Sequence, residues 1–94
     1  MQAIIYVRQR DEISLYEQFN KCAEYCKKFG YSIEGKVLDF DGKRLHEAIN
    51  KIIPKSESAA LIIYSKEAAF DSFDDYIFFR IYLEKLGHEL ISCN

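Results

Sequence analysis

The sequence predicts an α/β domain in which a mainly parallel, four-stranded sheet is covered by helices on both faces. Three observations carry this expectation. Short apolar runs of strand length alternate with amphipathic stretches of helical period, in the order β-α-β-α-β-α-β. Parallel sheets joined by crossover helices produce that alternation. The runs Ala3 to Val7 and Ala59 to Tyr64 are apolar throughout, as strands buried on both faces are. Helix start and stop signals fall in the gaps between the runs.

The first run, AIIYV, is followed at once by Arg8, Gln9 and Arg10, so two guanidinium groups sit where the strand ends. Ser14 and Glu17 then form S-x-x-E, a capping box that opens a helix. Leu15, Phe19, Cys22, Ala23, Cys26 and Phe29 make one helical stripe. Lys27 and Lys28 occupy its last turn, where cations complement the dipole, and Gly30 suits the C′ position. Tyr31 to Phe40 reads as the second strand, with Ile33, Val37, Leu38 and Phe40 in partial alternation and Gly35 marking a bulge. Asp39, Asp41 and Gly42 form the next turn. Leu45, Ala48, Ile49, Ile52 and Ile53 supply a second stripe, which Pro54 stops. KSES is a polar loop before the central strand Ala59 to Tyr64.

The last helix is expected from about Ser72 to about Leu86, with Ser72 and Asp75 at its start and Gly87 at its end. Leu90 to Cys93 makes the fourth strand. A flavodoxin-like strand order, 2-1-3-4, with right-handed crossovers fits this succession. In such sheets sites lie beyond the carboxyl ends of the strands, which points to the turn at Arg8 and Arg10.

Composition narrows the function classes. One small domain of 94 residues with 49% hydrophobic residues, seven Tyr and seven Phe can bury a core and is not disordered. No apolar run approaches the roughly 20 residues of a membrane span, and no signal peptide is recognisable, so a cytoplasmic location is expected. The net charge is −2 and the isoelectric point about 5.7. Autonomous DNA-binding domains carry a basic footprint, often with a pI above about 9, so DNA is expected to bind only weakly, or through a partner or a further domain. The three cysteines, Cys22, Cys26 and Cys93, do not suggest a disulfide framework. Cys22 and Cys26, four apart on one helix face, read as core residues rather than metal ligands. His46 and His88 read as isolated surface or helix-end histidines.

The last helix has more apolar surface than one sheet can cover. Tyr76, Phe79, Leu83 and Leu86 cluster on one face and Phe73, Ile77 and Ile81 on a second, with Phe78 and Tyr82 outside both. A surface helix usually shows one stripe. Either part of this surface, around Phe78, Ile81 and Tyr82, meets a protein partner or a second copy of the chain, or these are scattered exposed aromatics, which are ordinary when single.

The stretch IIYVRQRDEISLYEQFNKCAEYCKKFGY resembles the opening of the serine recombinases, the resolvase/invertase family. Their pattern there is a strand ending Y-x-R-x-S, a short loop, S-L-x-x-Q, and a helix ending near G-Y. Tyr6, Arg8, Ser14, Leu15, Gln18, Gly30 and Tyr31 take the matching places. Asp39 is similar to the acid ending the family's second strand, Arg44 to the arginine opening its next helix, ALIIY to its third strand and LGHELIS to its last. The resemblance covers nearly the whole chain, is most specific in the first third, and is weakest around Gly42, where the loop is short. It implies a single resolvase-like, three-layer domain over 1–94, with neither the family's long dimerisation helix nor its DNA-binding domain within that span.

The departures from the pattern carry the functional expectation. In the family, a serine two residues after the arginine attacks a DNA phosphodiester and becomes covalently linked to it; that position here is Arg10. After the third strand the family has Y-x-x-D-R-x-x-R; the corresponding residues are Tyr64, Glu67, Ala68 and Asp71. One acid is conservatively replaced, one guanidinium is gone, and the other has become an acid. Phosphoryl transfer rests on positioning and cationic stabilisation. Loss of the nucleophile from a covalent mechanism lowers the rate by a factor on the order of 10⁶. A guanidinium is permanently protonated and is no nucleophile. Ser14 is better used as a helix cap, and Ser65 has no evident activating base.

The resemblance therefore implies a degenerate, catalytically inactive relative with an interaction or regulatory role, linked to site-specific DNA recombination of a mobile element. No cofactor and no metal are expected. Arg8, Gln18 and Arg44 survive at matched positions. Arg8, Arg10 and Arg44, with Lys66, would form a remnant phosphate pocket; the competing expectation, which the surplus of acids favours, is that Arg8 and Arg44 pair with Asp11, Glu12, Asp39, Asp41 or Glu67. Two other functions stay open: a fragment of a working DNA resolvase or invertase, and a small anion- or nucleotide-binding flavodoxin-like module. The latter would lack a glycine-rich phosphate loop, since Gly30, Gly35, Gly42 and Gly87 are far apart.

Overall fold

In the computed structural model, which describes residues 1–94, strand β1 (Gln2–Arg8) lies between two parallel neighbours, β2 (Ser32–Asp39) and β3 (Ala59–Ile63). Strand β4 (Glu89–Ser92) pairs in parallel with the far side of β3. The sheet thus has the order β2-β1-β3-β4, as the succession of elements predicts. Helices α1 (Leu15–Phe29), α2 (Leu45–Ile52), the short α3 (Lys66–Ala69) and α4 (Phe73–Lys85) complete the chain.

Both central strands are buried on both faces, and their alternate residues feed two cores. Ala3, Ile5 and Val7 of β1 and Ala60 and Ile62 of β3 pack with Leu15, Cys22 and Cys26 of α1. Ile4 and Tyr6, with Leu61 and Ile63, face the other way, onto Ala48, Ile49 and Ile52 of α2 and Leu83 of α4. Two-sided cover is why these strands read as unbroken apolar runs instead of alternating ones. The result is three layers, with α1 on one face and α2 and α4 on the other.

The local signals are used as expected at both long helices. The Ser14 hydroxyl accepts from the Glu17 amide at 3.1 Å, and the Ser72 hydroxyl from the Asp75 amide at 3.1 Å, each satisfying an orphan first-turn donor. The register between β1 and β2 slips between Ala3 and Ile4, leaving Glu34 as the extra residue of a bulge beside Gly35.

Four features differ from the sequence reading. The segment after β3 closes into the one-turn α3, capped by Ser65, which accepts from the Ala68 amide at 3.1 Å. Four residues are too few for periodicity to reveal. Ile33 is exposed because β2 is an edge strand with less cover, and Phe40, read as a strand residue, lies exposed in the turn just past its end. Phe29 ends the α1 stripe but lies exposed beyond the core, its ring tilted against Tyr25 with centroids 4.6 Å apart. His88 is not a surface residue: it is 4% exposed, and its Nδ1 accepts from the Ala59 amide at 3.1 Å. That bond satisfies the first amide of β3.

Helix α4 buries Leu83 and packs Tyr76 and Phe79 against the core. Phe73, Phe78, Ile81, Tyr82 and Leu86 remain exposed, and the Phe78 and Tyr82 rings stack 6.3 Å apart.

Candidate functional site

The carboxyl ends of β1, β2 and β3 converge on one edge of the sheet, and of the matched residues Tyr6, Arg8, Gln18 and Asp39 lie there. Arg8 is the last residue of β1. Its backbone is held by Gln18, which is 1% exposed: the amide nitrogen Nε2 donates to the Arg8 carbonyl at 2.7 Å and the Ile13 carbonyl at 3.2 Å, while Oε1 accepts from the Arg8 amide at 3.4 Å. Gln18 therefore ties the strand end, the turn and α1 together. It positions the edge and has no polar atom left for a ligand.

The Arg8 guanidinium pairs with Asp71 Oδ1 at 2.8 Å. It also runs against Gly42, where a Cβ would lie 2.4 Å from Nη2. Gly42 has φ 78°, so the left-handed turn demands glycine, and any Cβ there would push the Arg8 guanidinium aside. Arg10 crosses to α3 and the turn after it. Its Nε donates to the Ala68 carbonyl at 2.9 Å, and its Nη2 donates to the Phe70 carbonyl at 3.2 Å and lies 3.8 Å from Asp71 Oδ1. Both guanidinium groups are thus occupied by atoms of the α3–α4 segment.

Arg44 does not join them. It makes a two-pronged pair with Glu47, at 3.0 and 2.9 Å, and donates to the Leu38 carbonyl at 3.2 Å. The fork match between guanidinium and carboxylate explains the preference. The Glu47 carboxyl is held below its ordinary range by that bond, and Arg44 is held correspondingly higher. Lys66 lies over the Phe73 ring at 5.5 Å rather than beside the arginines. The acids that neutralise Arg8 and Arg44 are therefore Asp71 and Glu47, neither of them among the partners expected from sequence proximity.

Next to Arg10 lies a cleft of about 560 Å³, lined by Glu12, Glu17, Glu67, Tyr64, Ser65 and neighbouring atoms. Three carboxylates face one guanidinium that is already bonded, so the cleft repels anions at neutral pH. The Ser65 hydroxyl is engaged as the α3 cap, and no group of three or more His, Cys, Asp or Glu is placed to hold a metal ion.

The most constrained polar cluster at this edge is one that sequence reasoning did not single out as a unit. Asp39, at the end of β2, is fully buried. Its Oδ1 accepts from the Gly42 and Lys43 amides at 2.7 and 3.1 Å, and its Oδ2 from the Arg44 amide at 3.0 Å and the Tyr6 hydroxyl at 2.5 Å. Burial pushes the carboxyl up, but the Tyr6 hydroxyl and the backbone amides outweigh it and hold Asp39 below its ordinary value. Burial and the same carboxylate push the Tyr6 phenol upward. Asp39 in effect caps the start of α2, where Arg44 supplies no capping side chain. The signal was present in the sequence: Tyr6 is the one polar residue in an apolar strand, and Asp39 stands at the mouth of a D-x-D-G turn.

With this geometry in hand, the comparisons with solved structures are specific about the scaffold. The whole chain superposes on the N-terminal catalytic domain of TP901-1 integrase with a TM-score of 0.82 at 22% identity, covering 100% of this chain and 78% of that one. The fold is that of serine recombinase catalytic domains. A second match is the C-terminal catalytic domain of ISC1926 TnpA, an IS607-like serine recombinase, with a TM-score of 0.78 at 18% identity, covering 100% of this chain and 70% of that one. No protein-family model matches the sequence, and no curated protein does. The edge built from Arg8, Arg10, Gln18 and Asp71 thus lies on a scaffold shared with those two catalytic domains. No helix is long and apolar enough to cross a membrane.

Proposed function

We propose that this chain is a catalytically inactive serine-recombinase-like domain whose role is interaction or regulation, in the setting of site-specific DNA recombination by a mobile element. The observation that carries this reading is the contact between its two departures from the family pattern. Arg10 stands where the attacking serine is expected and Asp71 where a phosphate-binding arginine is expected, and the two side chains lie 3.8 Å apart in one cluster in which Asp71 also pairs with Arg8 at 2.8 Å. A nucleophile exchanged for a cation and a cation exchanged for an acid thus come together, with Arg10 further held by the Ala68 and Phe70 carbonyls. Such a pair supports a maintained non-catalytic surface better than it supports a displaced active site. DNA, on this reading, is met weakly or through a partner.

A suicide substrate that traps covalent protein–DNA intermediates tests the inactivity. The intact chain is expected to give no adduct, and Arg10→Ser alone is expected to give none, because Asp71 and Ala68 still leave the phosphate unclamped. An adduct with the unaltered chain would overturn the proposal. The interaction role falls to surfaces away from the cleft, and the exposed Phe78, Ile81 and Tyr82 of α4 provide the apolar one. Self-association through them predicts a sedimentation coefficient that rises with concentration and falls back in Phe78→Ser. A monomer at every concentration would rule it out.

A further inference from the structure

The three cysteines, 71 residues apart at the extremes of their separation, converge between the inner face of α1 and the end of β4. Cys22 and Cys26 are fully buried in α1, and Cys93 is half-buried just after β4. The Cys22 and Cys93 sulfurs lie 3.7 Å apart. Cys93 is not a loose tail residue: its amide donates to the Ile63 carbonyl at 3.0 Å and its thiol to the Tyr64 carbonyl at 3.7 Å. An S–S bond of about 2.0 Å is therefore reached by small rotations of two side chains, without unfolding either element.

Access and charge are arranged unequally for the two sulfurs. A surface groove of about 330 Å³, bordered by Lys21, Lys28, Tyr25 and Phe29, opens onto Cys93. Cys22 has no exposure and does not line that groove. The facing groups are Lys21, Lys28 and Glu24 from α1, the Tyr64 carbonyl and Cys26. The Cys22 thiol bonded to Cys93, with Lys21 nearby, holds Cys93 below its ordinary value, whereas that same bond and burial push Cys22 up. A thiol that borders an open groove, lies beside a lysine and touches a second thiol is the arrangement that reacts first and is then resolved.

We propose that Cys93 is a thiol modification site and that Cys22 resolves it, so that oxidation by a low-molecular-weight disulfide closes a Cys22–Cys93 bond clamping β4 to α1. In the first step the Cys93 thiolate attacks one sulfur of the reagent. A mixed disulfide forms, and a thiolate leaves and takes a proton from solvent. In the second, Cys22 gives its proton to solvent and attacks Cys93 Sγ. The protein disulfide forms and the second reagent thiolate leaves and is protonated. The protein dithiol loses two electrons and the reagent disulfide gains them, ending as two thiols. Because the closed loop is long, the bond also removes freedom from the unfolded chain.

Incubating the whole chain with oxidised glutathione, followed by alkylation and peptide mapping, tests the proposal. A Cys22–Cys93 cross-link is expected, with Cys26 still alkylated, a melting temperature several degrees higher, and full reversal by dithiothreitol. Cys26→Ser should cross-link like the unaltered chain. Cys22→Ser should stop at a glutathione adduct on Cys93, and Cys93→Ser, at a half-exposed position that folding tolerates, should take up none. A stable glutathione adduct on Cys93 in the unaltered chain, a Cys22–Cys26 bond, or no oxidation at all would overturn it.

Discussion

Asp39→Asn is expected to destabilise the domain by about 1–3 kcal/mol for each buried donor it leaves without an acceptor. The carboxylate is fully buried and accepts from Tyr6, Gly42, Lys43 and Arg44. An asparagine keeps one acceptor oxygen and turns an NH₂ toward donors, so buried N–H or O–H groups lose their partner and face another donor. The loop that starts α2 and seats Gly42 against Arg8 loosens with it. Tyr6→Phe removes one donor and leaves the amides, and should cost less, about 1–2 kcal/mol.

The same cluster sets an acid limb. Asp39 is held below its ordinary value in the folded state, so the unfolded chain binds the proton more readily. Its contribution is fully present above the unfolded value of about 3.9 and is lost as the pH falls through the lower folded value. Urea unfolding at a series of pH values checks this: stability of the unaltered chain should fall steeply below about pH 4, and the curve of Asp39→Asn should be flatter there. Two parallel curves would mean that another carboxyl supplies the limb.

Asp71→Asn is expected to convert an anion-indifferent edge into an anion site. Asp71 is exposed, yet it bridges Arg8 at 2.8 Å and Arg10 at 3.8 Å. Its removal leaves two guanidinium groups near one another, with one negative charge fewer beside the cleft. The cost in stability should be small, within about 1 kcal/mol, because a pair with an exposed partner is screened. Thermal unfolding in inorganic phosphate, with chloride matched for ionic strength, reads the gain. A tenfold excess over the dissociation constant adds about 1.4 kcal/mol, which is several degrees in a domain of this size. The unaltered chain should show no phosphate-specific shift, and the double variant Asp71→Asn with Arg10→Ala should lose most of the gain. An equal response in all three proteins would show that Asp71 does not occupy the site.

What could be read from the sequence was what is local. The β1 run, the capping serines Ser14 and Ser72, the glycine stop after α1 and the stripe of α2 each lie within a few residues of the groups they satisfy, and their alternation leads to the 2-1-3-4 sheet. The positions Tyr6, Arg8, Gln18 and Asp39 were picked out by the resemblance to the serine recombinase pattern. Their pairings were not. Asp71 is distant in sequence from both Arg8 and Arg10, Asp39 is 33 residues from Tyr6, and His88 is 29 from the amide it satisfies. Periodicity and capping constrain φ, ψ and facing direction along one element, but which charges meet across elements depends on crossover handedness, sheet register and side-chain reach. For that reason the sequence alone determined the scaffold and the two departures at Arg10 and Asp71. Only the tertiary structure decided that those departures meet in one cluster with Arg8, and that Cys93 comes to rest against Cys22.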